Sequence, residues 1–313
     1  MRTIYPLQDS PETLQDTVVA IGVFDGVHRG HQEILKQTVR EARSQGLMPV
    51  ALTFDIHPTE LFAPRQSPPY IASLPQRVEL MEEYGGGIEA VAVVRFDRDF
   101  AGLSPEAFVT EVLEGALGAR HVLVGADFCY GTRRSGSVTT LLRDGARSGF
   151  AVTVVPPILI GGARVSSTQI RGLVAGGDLP AALGLLGHPF VVQGIVGHGK
   201  RLGRTLGYPT ANLIPTQPGQ LLPGDGVYAA CARLADERTV RAAVSVGTNP
   251  TTDSDGGRKV EAFLMDGFAG DVYDQPLSLD FREKVRDERK FDGLDTLIAQ
   301  MGRDVAQIAA RLG

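Results

Sequence analysis

A chain of 313 residues exceeds what one average core supports, so two domains are expected. Hydrophobic residues make up 43%, which excludes a disordered composition, and 31 Lys plus Arg against 36 Asp plus Glu leave a net charge of -5. That balance speaks against a nucleic-acid partner, because no basic excess exists to neutralise phosphates. The two cysteines, Cys129 and Cys231, have no metal-ligand spacing, and the opening residues MRTIYPLQDS do not form a basic region followed by an apolar core. No apolar run approaches the roughly 20 residues of a membrane span. These features predict a soluble cytoplasmic protein, without membrane or nucleic-acid partners, in a reducing compartment.

The first half alternates two periodicities. Residues 18–23 read as a short buried strand, and Ile34, Leu35, Val39 and Ala42 recur at helical spacing until Gly46. A strand is predicted over 48–54, a helix over 74–84 stopped by three glycines, and a strand over 90–95. A helix over 105–117 with Ser104 as N-cap, a strand over 121–125, a helix over 139–148 and a strand over 151–155 follow. Strands separated by helices imply a parallel sheet covered on both faces, a Rossmann-like α/β domain.

The pattern changes after about Leu186. Strand-like runs at 191–196, 227–232, 242–246, 260–265 and 277–281 are separated by turn-rich stretches with no room for a helix of useful length. A small β-barrel or a sandwich fits. The chain then closes with one helix, whose stripe of Leu294, Leu297, Ile298, Met301, Val305, Ile308 and Leu312 is expected to pack on the β-domain, with partner binding as the alternative. The expected domains are therefore 1–186 and 187–313.

Between the first strand and first helix lies GVFDGVHRGH, Gly22 to His31. In a parallel α/β sheet ligands bind at the carboxyl ends of strands, where a helix start aims unpaired N–H groups and about half a positive charge at the same spot. Phosphate is the natural guest. The spacing is neither Walker A nor the dinucleotide fingerprint. Two histidines reaching one phosphate would stabilise charge on a phosphoryl group under attack; one structural and one exposed histidine is the plainer alternative.

FDGVHRGH resembles the H-x-G-H signature of the nucleotidylyltransferase superfamily, in the form seen in the adenylyltransferase module of bacterial bifunctional riboflavin kinase/FAD synthetases. VGADFCYG, Val124 to Gly131, and RVSSTQIR, Arg164 to Arg171, are similar to two further motifs of that family. The resemblance implies that His28 and His31 are catalytic, and that Gly22, Phe24, Gly30, Ser167, Thr168 and Arg171 line the ATP phosphates. Hydroxyls and a guanidinium suit phosphate oxygens. A flavin pocket would draw on Pro58 and Phe62 after the second strand and on Asp127, Phe128 and Tyr130 after the fourth. Each of Phe62 and Phe128 has simple core packing as its alternative. Ser137 stands where the family pattern has an acidic residue.

VGHGKRLGRTLGYPTANL, Val196 to Leu213, closely resembles the riboflavin kinase signature. By that resemblance Gly197, Gly199, Lys200 and Gly203 cover the nucleotide, while Thr210 and Asn212 hold Mg²⁺, a cation that prefers oxygen donors. Glu261, an acidic residue in a strand-like run, would be the general base on riboflavin. The family has His two positions later, where this chain has Phe263. VRDERKF places Arg286, Glu288 and Phe291 at a family segment near the flavin, with Arg286 and Phe291 as flavin contacts. The implied activity is phosphorylation of riboflavin to FMN and adenylylation of FMN to FAD, with ATP and Mg²⁺. A nucleotidylyltransferase with another acceptor would not need the P-T-A-N module. A decayed flavin sensor would not keep His28, His31, Thr210, Asn212 and Glu261 together.

Overall fold

The computed structural model describes residues 1–11, 13–198, 207–248, 258–268 and 270–313. It forms two compact units: Met1–Pro68 with Ser73–Ser166, and Pro69–Ala72 with Ser167–Gly313.

In the first unit the elements are β1 (Arg2–Ile4), β2 (Thr17–Ile21), α1 (Arg29–Gln45), β3 (Met48–Phe54), α2 (Pro58–Phe62), α3 (Leu74–Tyr84) and β4 (Ala90–Val94). Next come α4 (Arg98–Ala101), α5 (Pro105–Ala107) running into a π-helical stretch Phe108–Ala116, and β5 (Ala119–Gly125). A small hairpin, β6 (Cys129–Tyr130) with β7 (Gly136–Ser137), precedes α6 (Val138–Ser148) and β8 (Ala151–Val155). The unit closes with the hairpin β9 (Leu159–Ile160) and β10 (Ala163–Arg164).

Six strands make one parallel sheet in the order β1-β4-β3-β2-β5-β8. Every residue of β2 and β4 is buried, as a sheet covered on both faces requires. Alternation divides the core. Val19, Ile21, Val50 and Leu52 pack with Phe108, Val109, Leu113 and Leu141, whereas Ala20, Ala51, Val91 and Val93 pack with Leu35, Val39 and Met81. The chain runs outward in both directions from β2: β3 lies on one side and β5 on the other. That is a topological switch point, and β2 ends directly at Gly22.

The expected single helix over 105–117 is instead an α-turn followed by a π-helix. Its wider turns place Phe108, Val109, Val112 and Leu113 all in the core. Ser104 caps it as expected, accepting from the Ala107 N–H at 3.1 Å.

The second unit opens with α7 (Ser167–Gly176) and α8 (Leu179–Leu186), then β11 (Phe190–Gly197), β12 (Thr210–Pro215), β13 (Gly226–Arg233), β14 (Thr239–Gly247), β15 (Lys259–Leu264), β16 (Pro276–Arg286) and α9 (Leu294–Arg311). The six strands close into an antiparallel barrel in the order β11-β12-β15-β14-β13-β16. This resolves the barrel-or-sandwich alternative. β12 was not foreseen as a strand, because its glycine-rich and proline-rich approach reads as loop. Leu179, Ala182, Leu185 and Leu186 of α8 are buried, and the helix packs on β11 and β16. α9 buries Ile308 against Val227, Ala229 and Met265, while Leu294 at its start is 64% exposed, so the predicted stripe packs mainly through its second half.

Residues 69–72 belong to this unit through the backbone. Tyr70 donates to Gly219 O at 2.9 Å and accepts from the Leu221 N–H at 2.8 Å, a short parallel bridge. The Gln220 carboxamide donates to Tyr70 O and Ile71 O at 3.1 and 3.3 Å.

Candidate active sites

The loop after β2 is tightly wound. Phe24, Gly26 and Val27 have φ of 52°, 77° and 36°, and Phe24, Asp25, Val27 and His28 are all buried. Two of these are non-glycine residues in the left-handed region, a conformation that the surroundings must enforce. His28 is the N-cap of α1, and its Nδ1 accepts from the His31 N–H at 3.3 Å. In a neutral ring the proton then sits on Nε2. The two imidazoles stack with centroids 3.6 Å apart, and Phe24 meets His31 edge-on at 5.3 Å. A Cβ at Gly30 would come within 3.1 Å of His28 Cε1, so the glycine makes room for that ring. The structure thus brings His28, His31, Phe24, Gly22 and Gly30 together at the switch point and at a helix N-terminus.

A residue not singled out from the sequence underlies this loop. Arg77 of α3 is 1% exposed and donates to Val23 O (2.7 Å), Thr53 Oγ1 (3.3 Å), Phe54 O (2.9 Å) and Asp55 O (3.1 Å). Thr53 Oγ1 also donates to Val23 O at 3.0 Å. The available signal was a cation inside an apolar helix face, three residues after Leu74 and four before Met81.

At the end of β3, Pro58 opens α2 and Phe62 ends it 69% exposed. At the end of β5, Asp127 pairs with Arg164 at 2.8 Å. Partial burial opposes its ionisation, but the Arg164 hydrogen bond and charge hold the carboxyl below its ordinary range. Phe128 is half-buried and stacks on Tyr130 at 5.6 Å. Tyr130 is 6% exposed; its ring is core, and its hydroxyl donates to Asp144 at 3.3 Å. Ser137 caps α6 through a capping box with Thr140. Ser167 and Thr168 stand in the first turn of α7, and Arg171 Nε donates to Pro69 O at 2.8 Å; all three belong to the second unit.

On the barrel the register does the assembling. Asn212 of β12 lies opposite Gly197 of β11 on one side and Glu261 of β15 on the other, and Glu261 lies opposite Ser245 of β14. Thr210 is two residues from Asn212 and pairs with Phe263. Ala211, Leu213, Val260, Ala262 and Leu264 fill the buried, alternating positions, so Thr210, Asn212, Glu261 and Ser245 share the other face, each half-buried. Ser245 was not singled out from the sequence. The Tyr208 ring meets Phe263 edge-on at 5.2 Å.

Arg286 at the end of β16 grips Asp304 of α9 with two of its three nitrogens, at 3.0 Å from Nε and 2.7 Å from Nη2 to Oδ2. Its guanidinium and that of Arg289 lie 5.8 and 5.1 Å from the Phe291 ring centre. The Glu288 carboxylate packs on Gly247. Burial, then the charge of Asp225 and a smaller push from Glu261, raise its pKa against the pull of Arg258 and Arg286. Gly199, Lys200 and Gly203 lie outside the described residues.

Two family profiles match the chain in tandem: FAD synthetase over residues 10–169 and riboflavin kinase over residues 186–312. Proteins named bifunctional riboflavin kinase/FMN adenylyltransferase align along nearly the whole chain. The one from Escherichia coli K12 is 37% identical, covering 97% of this chain and 95% of its own. Those from Listeria monocytogenes and Bacillus subtilis are 37% and 32% identical, each covering 97% of this chain and 96% of its own. A crystal structure from Streptococcus pneumoniae, named as a macrolide-efflux protein, superposes with a TM-score of 0.82 at 30% identity, covering 97% of both chains. Among the described residues no helix is long and apolar enough to cross a membrane. By both profiles and by full-length similarity, the chain belongs to the bifunctional riboflavin kinase/FMN adenylyltransferase family.

Proposed function

We propose that this chain phosphorylates riboflavin with ATP to give FMN and ADP, and adenylylates FMN with a second ATP to give FAD and pyrophosphate. The observation that carries the reading is the coexistence of two assembled sites: stacked histidines at the switch point of a parallel sheet, and the Asn212–Glu261 pair on one face of a closed barrel. Adenylylation is assigned to residues 1–186 and phosphorylation to 187–313, following the order of the motifs. The compact units divide earlier, at Ser166/Ser167, so α7 carries a motif of the first activity while packing in the second unit.

In adenylylation the FMN phosphate attacks the α-phosphorus of ATP. His28 and His31 donate to the phosphoryl oxygens as charge builds there, the kind of stabilisation that preorganised donors provide. The His31 N–H bond to Nδ1 leaves Nε2 of His28 as the protonated nitrogen for that task. Gly22, Phe24 and Gly30 shape the phosphate seat, and Ser167, Thr168 and Arg171 are assigned to the ATP phosphates by their motif alone. Phe62, Pro58 and Phe128 offer apolar surface to the isoalloxazine, with Tyr130 as the buried support of Phe128 and Asp127 at the rim.

In phosphorylation Glu261 accepts the proton of the riboflavin 5′-hydroxyl as it attacks the γ-phosphorus. Thr210 and Asn212 present hard oxygen donors beside it. A threonine hydroxyl and a carboxamide oxygen fit Mg²⁺, which takes few protein oxygens and would keep waters and nucleotide phosphates as its other partners. The ion, held by Thr210 and Asn212, would neutralise phosphate charge. Gly197, with Gly199, Lys200 and Gly203, is assigned to the nucleotide. Arg286 holds the Phe291 segment against α9, and that segment is assigned to the flavin. A cytoplasmic location is part of this proposal.

The test is to assay both half-reactions on the same preparations. His31→Ala should lower FMN adenylylation about 10²- to 10³-fold and leave riboflavin phosphorylation near normal. Glu261→Gln should lower the kcat of phosphorylation by about 10²-fold, more than it changes KM, and leave adenylylation intact. Equal rates in either folded variant would remove that residue from its role.

A further inference from the structure

We infer that Arg77 is a positioning residue for adenylylation, acting through the histidine loop; this rests on the reading of His28 and His31 above. Its guanidinium is buried, and three of its acceptors are backbone carbonyls: Val23, Phe54 and Asp55. Carbonyls at the carboxyl ends of parallel strands lose their ladder partners as the strands diverge. Planar forked donors can serve several such carbonyls at once. Here one fork joins the end of β2 to the end of β3, and Thr53 braces the same Val23 carbonyl from β3.

The joined carbonyl is the last anchored point before the wound segment. After Val23 come Phe24 and Val27 with positive φ, and then His28. A non-glycine residue held in that region is strained, so the segment keeps its conformation only where its ends are fixed. Arg77 fixes the upstream end. The downstream end is held by the helix: the Gln32 N–H donates to His28 O at 2.9 Å and Gln32 Nε2 donates to Val27 O at 2.9 Å. Between these two clamps the stacked imidazoles have one direction to face. The hydrogen bonds of Arg77 to Val23, Thr53, Phe54 and Asp55 all end on the strand ends that carry the loop, so its contribution to rate passes through loop geometry.

A lysine at 77 keeps the charge but cannot bridge both strand ends with a planar fork. Arg77→Lys should therefore lower the kcat of FMN adenylylation by about 10- to 100-fold, as small misplacements of catalytic groups do, with KM for ATP within threefold and riboflavin phosphorylation unchanged. The decisive measurement is a cycle with His31→Ala. If Arg77 acts through the loop, Arg77→Lys costs less than threefold once His31 is gone, because residues acting as a unit are non-additive. Full multiplication of the two losses in folded proteins overturns the inference, as does an Arg77→Lys enzyme with unchanged kcat. Thr53→Val removes the second brace with little change in volume; it should show the same coupling on a smaller scale, and independent losses there count against the inference should Arg77→Lys melt early. An adenylylation rate that ignores His31→Ala would instead overturn the reading of the histidines.

Discussion

Gly30 shows what a motif position encodes. It lies in the first turn of α1 with ordinary backbone angles, where alanine would favour the helix by up to about 1 kcal/mol. The sequence keeps glycine because the His28 ring occupies the space of its Cβ. Other positions carry a cost that no motif explains. Asp280 on β16 pairs with Arg282, yet burial pushes its carboxyl up to about 6 against that pull. A pKa raised on folding means stability that is full below the unfolded value and lost as pH rises through about 6. At neutral pH the ionised carboxylate therefore destabilises the barrel. Asp280→Asn should raise stability by about 1–2 kcal/mol at pH 7.5, after discount for its partial exposure and its arginine, and by almost nothing at pH 4. Urea melts at the two pH values check this; equal gains at both would show that the charge is not responsible.

At the level of elements, the join between β16 and α9 rests on the Arg286–Asp304 pair, with Asp304 almost fully buried and also accepting from Gln300 at 2.6 Å. Removing one member strands the other, at a cost of about 3–5 kcal/mol for a buried pair. Asp304→Ala should destabilise the second unit by about 3 kcal/mol, given the partial exposure of Arg286, and raise the KM for riboflavin by loosening the Phe291 segment. Thermal melts with and without riboflavin, alongside kinase assays, separate the two effects. Elements with strong periodicity were legible in the sequence: 48–54, 74–84 and 151–155 have the expected limits. β1 was not, because only Ile4 of its three residues is buried and no alternation can form. α8 was not, because glycine and alanine weaken the apolar stripe that marks a helix. The motif residues could be picked out, but their juxtaposition could not: the Asn212–Glu261–Ser245 row exists only through strand register, and Arg77 serves carbonyls 22 to 54 positions away.

For the molecule as a whole, the two activities should separate, but the position of the cut matters. A fragment beginning at Gly187 would lose the buried leucines of α8 from β11 and β16, whereas one beginning at Ser167 keeps them and lacks only Pro69–Ala72. Both are expected to phosphorylate riboflavin and to make no FAD, with the longer fragment the more stable to urea. A folded Ser167–Gly313 fragment without kinase activity would overturn the assignment of that activity to the barrel. The four-residue segment 69–72 also bears on how such enzymes can exchange parts. A hybrid gene joined at a single point near Ser166 takes Tyr70 from one parent and Gly219 to Leu221 from the other. Two of the bonds that seat this segment run from backbone to backbone, and the Gln220 side chain reaches backbone oxygens. Recombination between diverged parents would therefore leave the bridge readable whatever side chains the foreign segment brings, provided its length is kept and no proline replaces Tyr70 or Leu221.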